Sequence, residues 1–128
     1  MSSTTETPVS LNKSIKFILY VRVHIPVKDH PEFFKYFNPA MDKVLAEEAC
    51  RFFFVQKQHP DSPGYDPEVI SFVEGWDMDT DEFLDVQMSK FYYEPYRSET
   101  AKLYSKPLEF EFWTPEEGKY QVKLPAAA

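Results

Sequence analysis

The sequence predicts an α+β fold of order β-α-β-β-α-β, and two observations carry that reading. Four segments are rich in β-branched and aromatic residues, or alternate apolar with polar residues, as strands do. Two segments between them repeat apolar residues at helical spacing. With right-handed crossovers this order gives a four-stranded antiparallel sheet with both helices on one face, the ferredoxin-like plait.

The first strand is Ile15 to Ile25, IKFILYVRVHI, and Pro26 ends it. Asp29, Pro31 and Glu32 supply helix-start chemistry: a capping aspartate, a proline in the first turn and a glutamate three residues after the cap. Phe33, Phe34, Phe37, Met41, Val44, Leu45 and Ala49 recur at helical spacing, so residues 31–50 form the first helix. Pro39 removes a hydrogen bond and crowds the carbonyl four residues back, so a kink is expected there, or a split with Asn38 capping the second half. The second strand is Arg51 to Gln58, RFFFVQKQ. A loop with three prolines and a glycine, HPDSPGYDPE, leads to the third strand, ISFVEGW, Ile70 to Trp76. Asp79 to Glu82 is a second capping signature. It opens a helix with the stripe Phe83, Leu84, Gln87, Met88 and Phe91, interrupted near Pro95 and resuming toward Tyr104. Pro107 ends it, and LEFEFW, Leu108 to Trp113, is the fourth strand.

The chain has 128 residues, enough for one domain with a real core. Residues 14–114 form that domain. Residues 1–13 and 115–128 are expected to be tails with little to bury. One sheet face lies under the helices and the other is open. An open apolar face calls for cover. Two chains packing sheet to sheet would provide it, so a homodimer is expected.

The net charge is −7 and no basic stripe stands out, which argues against nucleic acid and anionic membranes as partners. Cys50 is the single cysteine and fits a reducing compartment. The apolar runs are too short to span a bilayer and the N-terminus has no signal-peptide core, so the cytoplasm is the expected location. Aromatic residues make up 17% of the chain, more than a small core needs, which points to an aromatic cavity or interface.

No strong catalytic motif is present. No set of converging metal ligands can be assembled, and neither a flavin nor a nicotinamide fingerprint occurs, so no cofactor is expected. The most informative residue is Glu74. Strand alternation puts it on one face with Ile70, Phe72 and Trp76. A carboxyl between two aromatics on a buried face would have a raised pKa, suited to general acid or base work. The blander reading is a glutamate paired with Arg22, Lys57 or a backbone amide. His24 shares a strand face with Tyr20 and Arg22 and is the better histidine candidate. His30 and His59 have local roles at a helix start and a strand end. Gln87, Met88, Tyr92 and Tyr96 lie near one side of the second helix and could roof a cavity. Arg22 and Asn38 are further polar groups that could face a ligand.

Four stretches, namely the extended first strand, AEEACRFFFVQ (Ala46–Gln56), SPGYDPEVISFVEGW (Ser62–Trp76) and DEFLDVQMSKFYYEPYRSETAKLYSKPLEF (Asp81–Phe110), resemble the antibiotic-biosynthesis-type monooxygenase domain of the dimeric α+β barrel superfamily. The resemblance covers roughly residues 15–113. It implies a ferredoxin-like protomer that dimerises through its sheet, with a ligand cavity between sheet and helices. Several members oxidise aromatic polyketides with molecular oxygen and without metal or flavin; others decarboxylate, dehydrate or cyclise polyketides. Trp76 matches the tryptophan ending the third strand, and Glu74 the glutamate two before it. The oxidising members place an asparagine four residues before that tryptophan, where this chain has Phe72. Haem-degrading relatives need a histidine on the second helix and an asparagine on the first strand, and neither is present. The resemblance therefore implies a cofactor-independent monooxygenase acting on an aromatic, polyketide-like substrate. In it Phe72 and Trp76 would be walls, Glu74 or His24 the proton acceptor, and Tyr92, Tyr96 or Arg22 the oxyanion partner. A lyase or cyclase on the same scaffold, or a non-catalytic dimeric binding protein, are the alternatives.

Overall fold

Alternation along the strand Val69–Trp76 sets the layering of the molecule. Ile70, Phe72, Glu74 and Trp76 are all buried on one face, while Ser71 and Val73 on the other are half-buried. In the computed structural model, which describes residues 7–9, 15–116 and 122–124, this strand (β4) lies inside a four-stranded antiparallel sheet. Its partners are β2 (Phe17–His24) and β3 (Cys50–Lys57), and β5 (Glu109–Trp113) closes the far edge, giving the order β3-β4-β2-β5. That order is the ferredoxin-like plait. Outside it, β1 (Thr7–Val9) and β6 (Val122–Leu124) pair antiparallel. The two end segments expected to be tails therefore carry a short ladder; apart from Pro115 and Glu116, which are in no helix or strand, their other residues lie outside the described ones.

The first helix, α1 (His30–Leu45), buries Phe33, Phe37, Ala40 and Val44 against the sheet. It runs unbroken through Pro39, so the expected split, with Asn38 as a cap, does not occur. Asn38 and Pro39 are both exposed, and so is Lys35, whose carbonyl loses its helical partner. The lost bond lies on the solvent side, where water can replace it. The helix ends at Leu45, short of the expected residue 50. The ladder claims the following residues: Ala49 accepts from the backbone N–H of Asp77, and Cys50 pairs with Trp76. Neither Asp29 nor Asp79 makes a side-chain cap hydrogen bond. The Asp79 carboxylate instead lies 3.6 Å from Lys16.

The second helical region differs most from expectation. It breaks into α2 (Thr80–Asp85), two 3-10 turns at Gln87–Ser89 and Phe91–Tyr93, and α3 (Tyr96–Ala101). Lys90 and Glu94 are extended, and the Glu94–Pro95 bond is cis. A residue before proline is pushed out of the helical region, which accounts for the break at Glu94. One consequence is that Phe91, expected on the apolar stripe, is 89% exposed.

Two packing details position the site. A register shift at Arg51 leaves Cys50 opposite Trp76 and Phe52 opposite Gly75, and so brings Phe53 opposite Glu74. Gly75 has no side chain because the Phe52 ring of the neighbouring strand occupies that space.

Candidate functional site

The core consists of two clusters with a space between them. One gathers Phe17, Leu19, Val44, Trp76, Met78, Phe83 and Tyr93; the other Val23, Ile25, Phe33, Phe37, Ile70 and Phe72. Between them lies a cavity of about 260 Å³. Its floor is the sheet face carrying Leu19, Val21, Phe53, Phe72, Glu74 and Phe112. Phe37, Met41 and Val44 of α1 form one side, and Phe83, Met88, Tyr93, Tyr96 and Arg97 form the roof. Phe72 stacks on Phe37 with ring centroids 4.9 Å apart, making a flat aromatic wall. An apolar pocket with a few convergent polar groups is the usual form of a small-molecule site.

Glu74 is the one carboxyl lining this cavity among the described residues, and it is 7% exposed. Register places it between Leu19 and Phe53 of the flanking strands. Its single hydrogen bond among the described residues comes from Trp76 Nε1, 2.9 Å from Oε1. Burial penalises the carboxylate more than this bond favours it, so the pKa is pushed up to about 7. A group poised there exchanges a proton near neutral pH. The expected alternative partners, Arg22 and Lys57, are not hydrogen-bonded to it.

The roof supplies phenols. Burial, then Tyr104 and Glu74, hold Tyr96 well above its ordinary pKa. Its ring packs edge-on to Phe37, with centroids 5.6 Å apart. Burial also pushes Tyr93 up to about 12. Both phenols stay protonated and act as donors. Arg97 donates to the carbonyl of Met88, and its guanidinium stands 5.5 Å from the Tyr93 ring centroid, tying α3 to the segment before it. Burial and the nearby Glu74 and Glu47 push the Cys50 thiol up to about 12, which leaves little thiolate for chemistry.

Of the residues singled out from sequence, Phe72, Glu74, Met88 and Tyr96 line the cavity. Trp76 is fully buried behind Glu74 and orients it. Gln87 and Tyr92 stand one layer out, in a network described below. The structure does not bring the other four to the cavity. Tyr20, Arg22 and His24 lie on the opposite sheet face, since odd and even positions of β2 point apart. His24 bonds Glu109 there through Nε2, at 3.0 Å. Asn38 is on the outer side of α1. The notion of His24 and Glu74 as alternative bases in one site is thereby corrected. Tyr93 is one of three clustered tyrosines that offer phenol donors, but the sequence does not place it in the roof, and Arg97 was missed. Nothing local distinguishes Tyr93 from Tyr92, because a 3-10 turn rather than an α-helix decides which points inward.

Among the described residues no group of three or more His, Cys, Asp or Glu side chains could hold a metal ion. No helix there is long and apolar enough to cross a membrane.

Sheet, helices and cavity together define a ferredoxin-like α+β protein with an aromatic-lined pocket between its layers. Comparison with known proteins makes this more specific. The chain is 34% identical over 108 residues to a Pestalotiopsis microspora protein named a putative monooxygenase, spanning 81% of this chain and 86% of that one. Its fold is shared with a structure described as a putative antibiotic biosynthesis monooxygenase from Nitrosomonas europaea, at TM-score 0.63 and 14% identity over 77% of this chain and 97% of that one. A conserved protein of Methanosarcina mazei gives TM-score 0.67 at 17% identity, over 81% of this chain and 97% of that one. No family model matches the chain. The chain belongs to the same family as that Pestalotiopsis microspora protein and has the fold of structures described as antibiotic biosynthesis monooxygenases.

Proposed function

We propose that this protein is a cofactor-independent monooxygenase of specialised, polyketide-type metabolism that oxidises a flat aromatic substrate in the cavity. The observation that carries the proposal is Glu74, a carboxyl poised near neutral pH and opening into an otherwise apolar, aromatic-walled space. An anthrone-like substrate slides along the Phe37–Phe72 wall with its acidic CH₂ toward Glu74. Glu74 takes one proton. The resulting carbanion, delocalised as a phenolate-like enolate, supplies the electrons that reduce oxygen. The CH₂ becomes a ketone carbonyl, one oxygen atom is retained and the other leaves as water. The protein contributes a base, donors for the anion and a dry cavity. The relative named a putative monooxygenase supports oxidation as the reaction class.

A second reading has its own observation. The oxidising members carry an asparagine where this chain has Phe72, and Phe72 is packed into the aromatic wall. Loss of that polar group favours a lyase or cyclase using Glu74 without oxygen. Turnover of an anthrone in air and in anaerobic buffer separates the two. The oxygenase reading expects one oxygen consumed per anthrone and no product anaerobically; equal turnover in both overturns it.

The open sheet face bears Tyr20, Phe54 and Trp113, which are 42%, 58% and 56% exposed. A second copy of the chain is the proposed cover, making a homodimer.

A further inference from the structure

Resting on the reading of the cavity as the substrate site, we infer that Arg97, at the cavity mouth, binds a carboxylate on the substrate, so that the substrate is an aromatic carboxylic acid rather than a neutral aromatic. The place where the cavity opens is the first support. Of its lining side chains only Leu84, Arg97, Leu108 and Phe110 are exposed. Leu84 lies on α2, Arg97 on α3, Leu108 just before β5 and Phe110 on it. The mouth is therefore between the roof and the edge strand of the sheet. Glu74 is buried on the interior strand β4 and marks the deep end.

Charge is the second support. Among the described residues lining the cavity, Arg97 is the one cationic side chain, as Glu74 is the one carboxyl. It is held in place without being neutralised. Its guanidinium donates to the carbonyl of Met88 and stands 5.5 Å from the centroid of the Tyr93 ring. Both partners belong to a segment that is itself tied down. Gln87 Nε2 donates to the hydroxyls of Tyr92 and Tyr93, at 2.6 and 3.1 Å. Glu47, just beyond the end of α1, accepts from Lys90 at 2.6 Å and from Tyr92 at 2.8 Å. Among the described residues no carboxylate is hydrogen-bonded to Arg97 or paired with it. Glu94, within its electrostatic reach, accepts instead from the backbone N–H and the hydroxyl of Ser98. The guanidinium keeps further N–H groups for a ligand, and its planar fork matches a carboxylate.

The two ends set the direction in which a substrate enters. A carboxylate carried to the deep end would be desolvated beside Glu74 with no cation to meet it. At the mouth it keeps its water and meets Arg97, while the aromatic body passes Leu84, Leu108 and Phe110 into the apolar interior. The reactive carbon is thereby delivered toward Glu74. The chain carries a net charge of −7 and as a whole repels anions, so a preference for one has to come from Arg97 itself.

Naphthalene-2-carboxylate and its neutral isostere naphthalene-2-carboxamide test this by fluorescence titration, without turnover, at about pH 6, where Glu74 holds its proton. Wild type should bind the carboxylate about tenfold more tightly than the amide, the effect of a charge-assisted hydrogen bond. Added salt should shrink that preference and leave amide binding unchanged, a readout that needs no variant. Arg97→Gln should remove the preference and keep amide binding; Arg97→Lys should keep part of the preference. Wild type that binds both compounds alike overturns the inference alone. A preference that survives in Arg97→Gln, or an equal loss of both compounds there, also overturns it, since Arg97 would then do no more than support the roof. Wild type that binds neither compound overturns the reading of the cavity as an aromatic site, and the inference with it.

Discussion

Glu74 is best understood through what its burial costs. The unfolded carboxyl ionises near 4.5 and the folded one near 7. Between these values the folded state holds one more proton than the unfolded state, so stability falls as pH rises through the window. The loss is about 3 kcal/mol once both limits are passed. Glu74→Gln keeps an acceptor for Trp76 Nε1 and removes the charge. Its melting temperature relative to wild type should therefore climb between pH 4.5 and 7 and level off above, measured by calorimetry across that range. A constant difference would mean that Glu74 ionises normally. The position of Glu74 was legible in sequence because strand alternation is a strict period of two and its neighbours Phe72 and Trp76 are unmistakably core. Tyr20, Arg22 and His24 were misplaced relative to it because alternation groups residues within one strand. Only the ladder register, Leu19 opposite Glu74, fixes which group faces which.

At the scale of elements, the strands were legible and the second helical region was not. β-branched and aromatic runs bounded by proline and glycine mark strands whatever their surroundings. The segment after Asp85 carries helical periodicity, yet Pro95 and the extended Lys90 and Glu94 divide it into short turns. A stripe drawn at α-helical spacing then misassigns Phe91, which goes to solvent, and omits Tyr93, which lines the cavity. Pro39 misled in the opposite sense, since α1 tolerates it on an exposed face. Proline in a helix interior is costly, and part of that cost is returned because proline also stiffens the unfolded chain. Pro39→Ala should stabilise the protein by about 1–2 kcal/mol in urea titration, with unchanged probe binding. Destabilisation would show that the proline makes packing contacts on which α1 depends.

For the whole molecule, a four-stranded sheet with helices on one side leaves Tyr20, Phe54 and Trp113 uncovered. Burying such a face against a second copy would be consistent with a stable interface, which covers roughly 800 Å² per partner. Sedimentation at micromolar concentration should give a dimer. Trp113→Asp, placing a charge at the edge strand, should shift it toward monomer without loss of secondary structure. A monomeric wild type would contradict the pairing. The fold class was legible because six elements in a fixed order admit few arrangements. The reaction was less so, because it depends on which polar groups converge, and these come from distant parts of the chain.

The pH dependence of anaerobically controlled oxygen uptake, compared between wild type and Glu74→Gln with one anthrone substrate, tests the central claim most directly. If Glu74 is the base, the wild-type rate rises with pH through an inflection near 7. Glu74→Gln should lose about 10²- to 10⁴-fold in rate together with that inflection. An unaltered rate and an unaltered pH profile in Glu74→Gln would contradict the account.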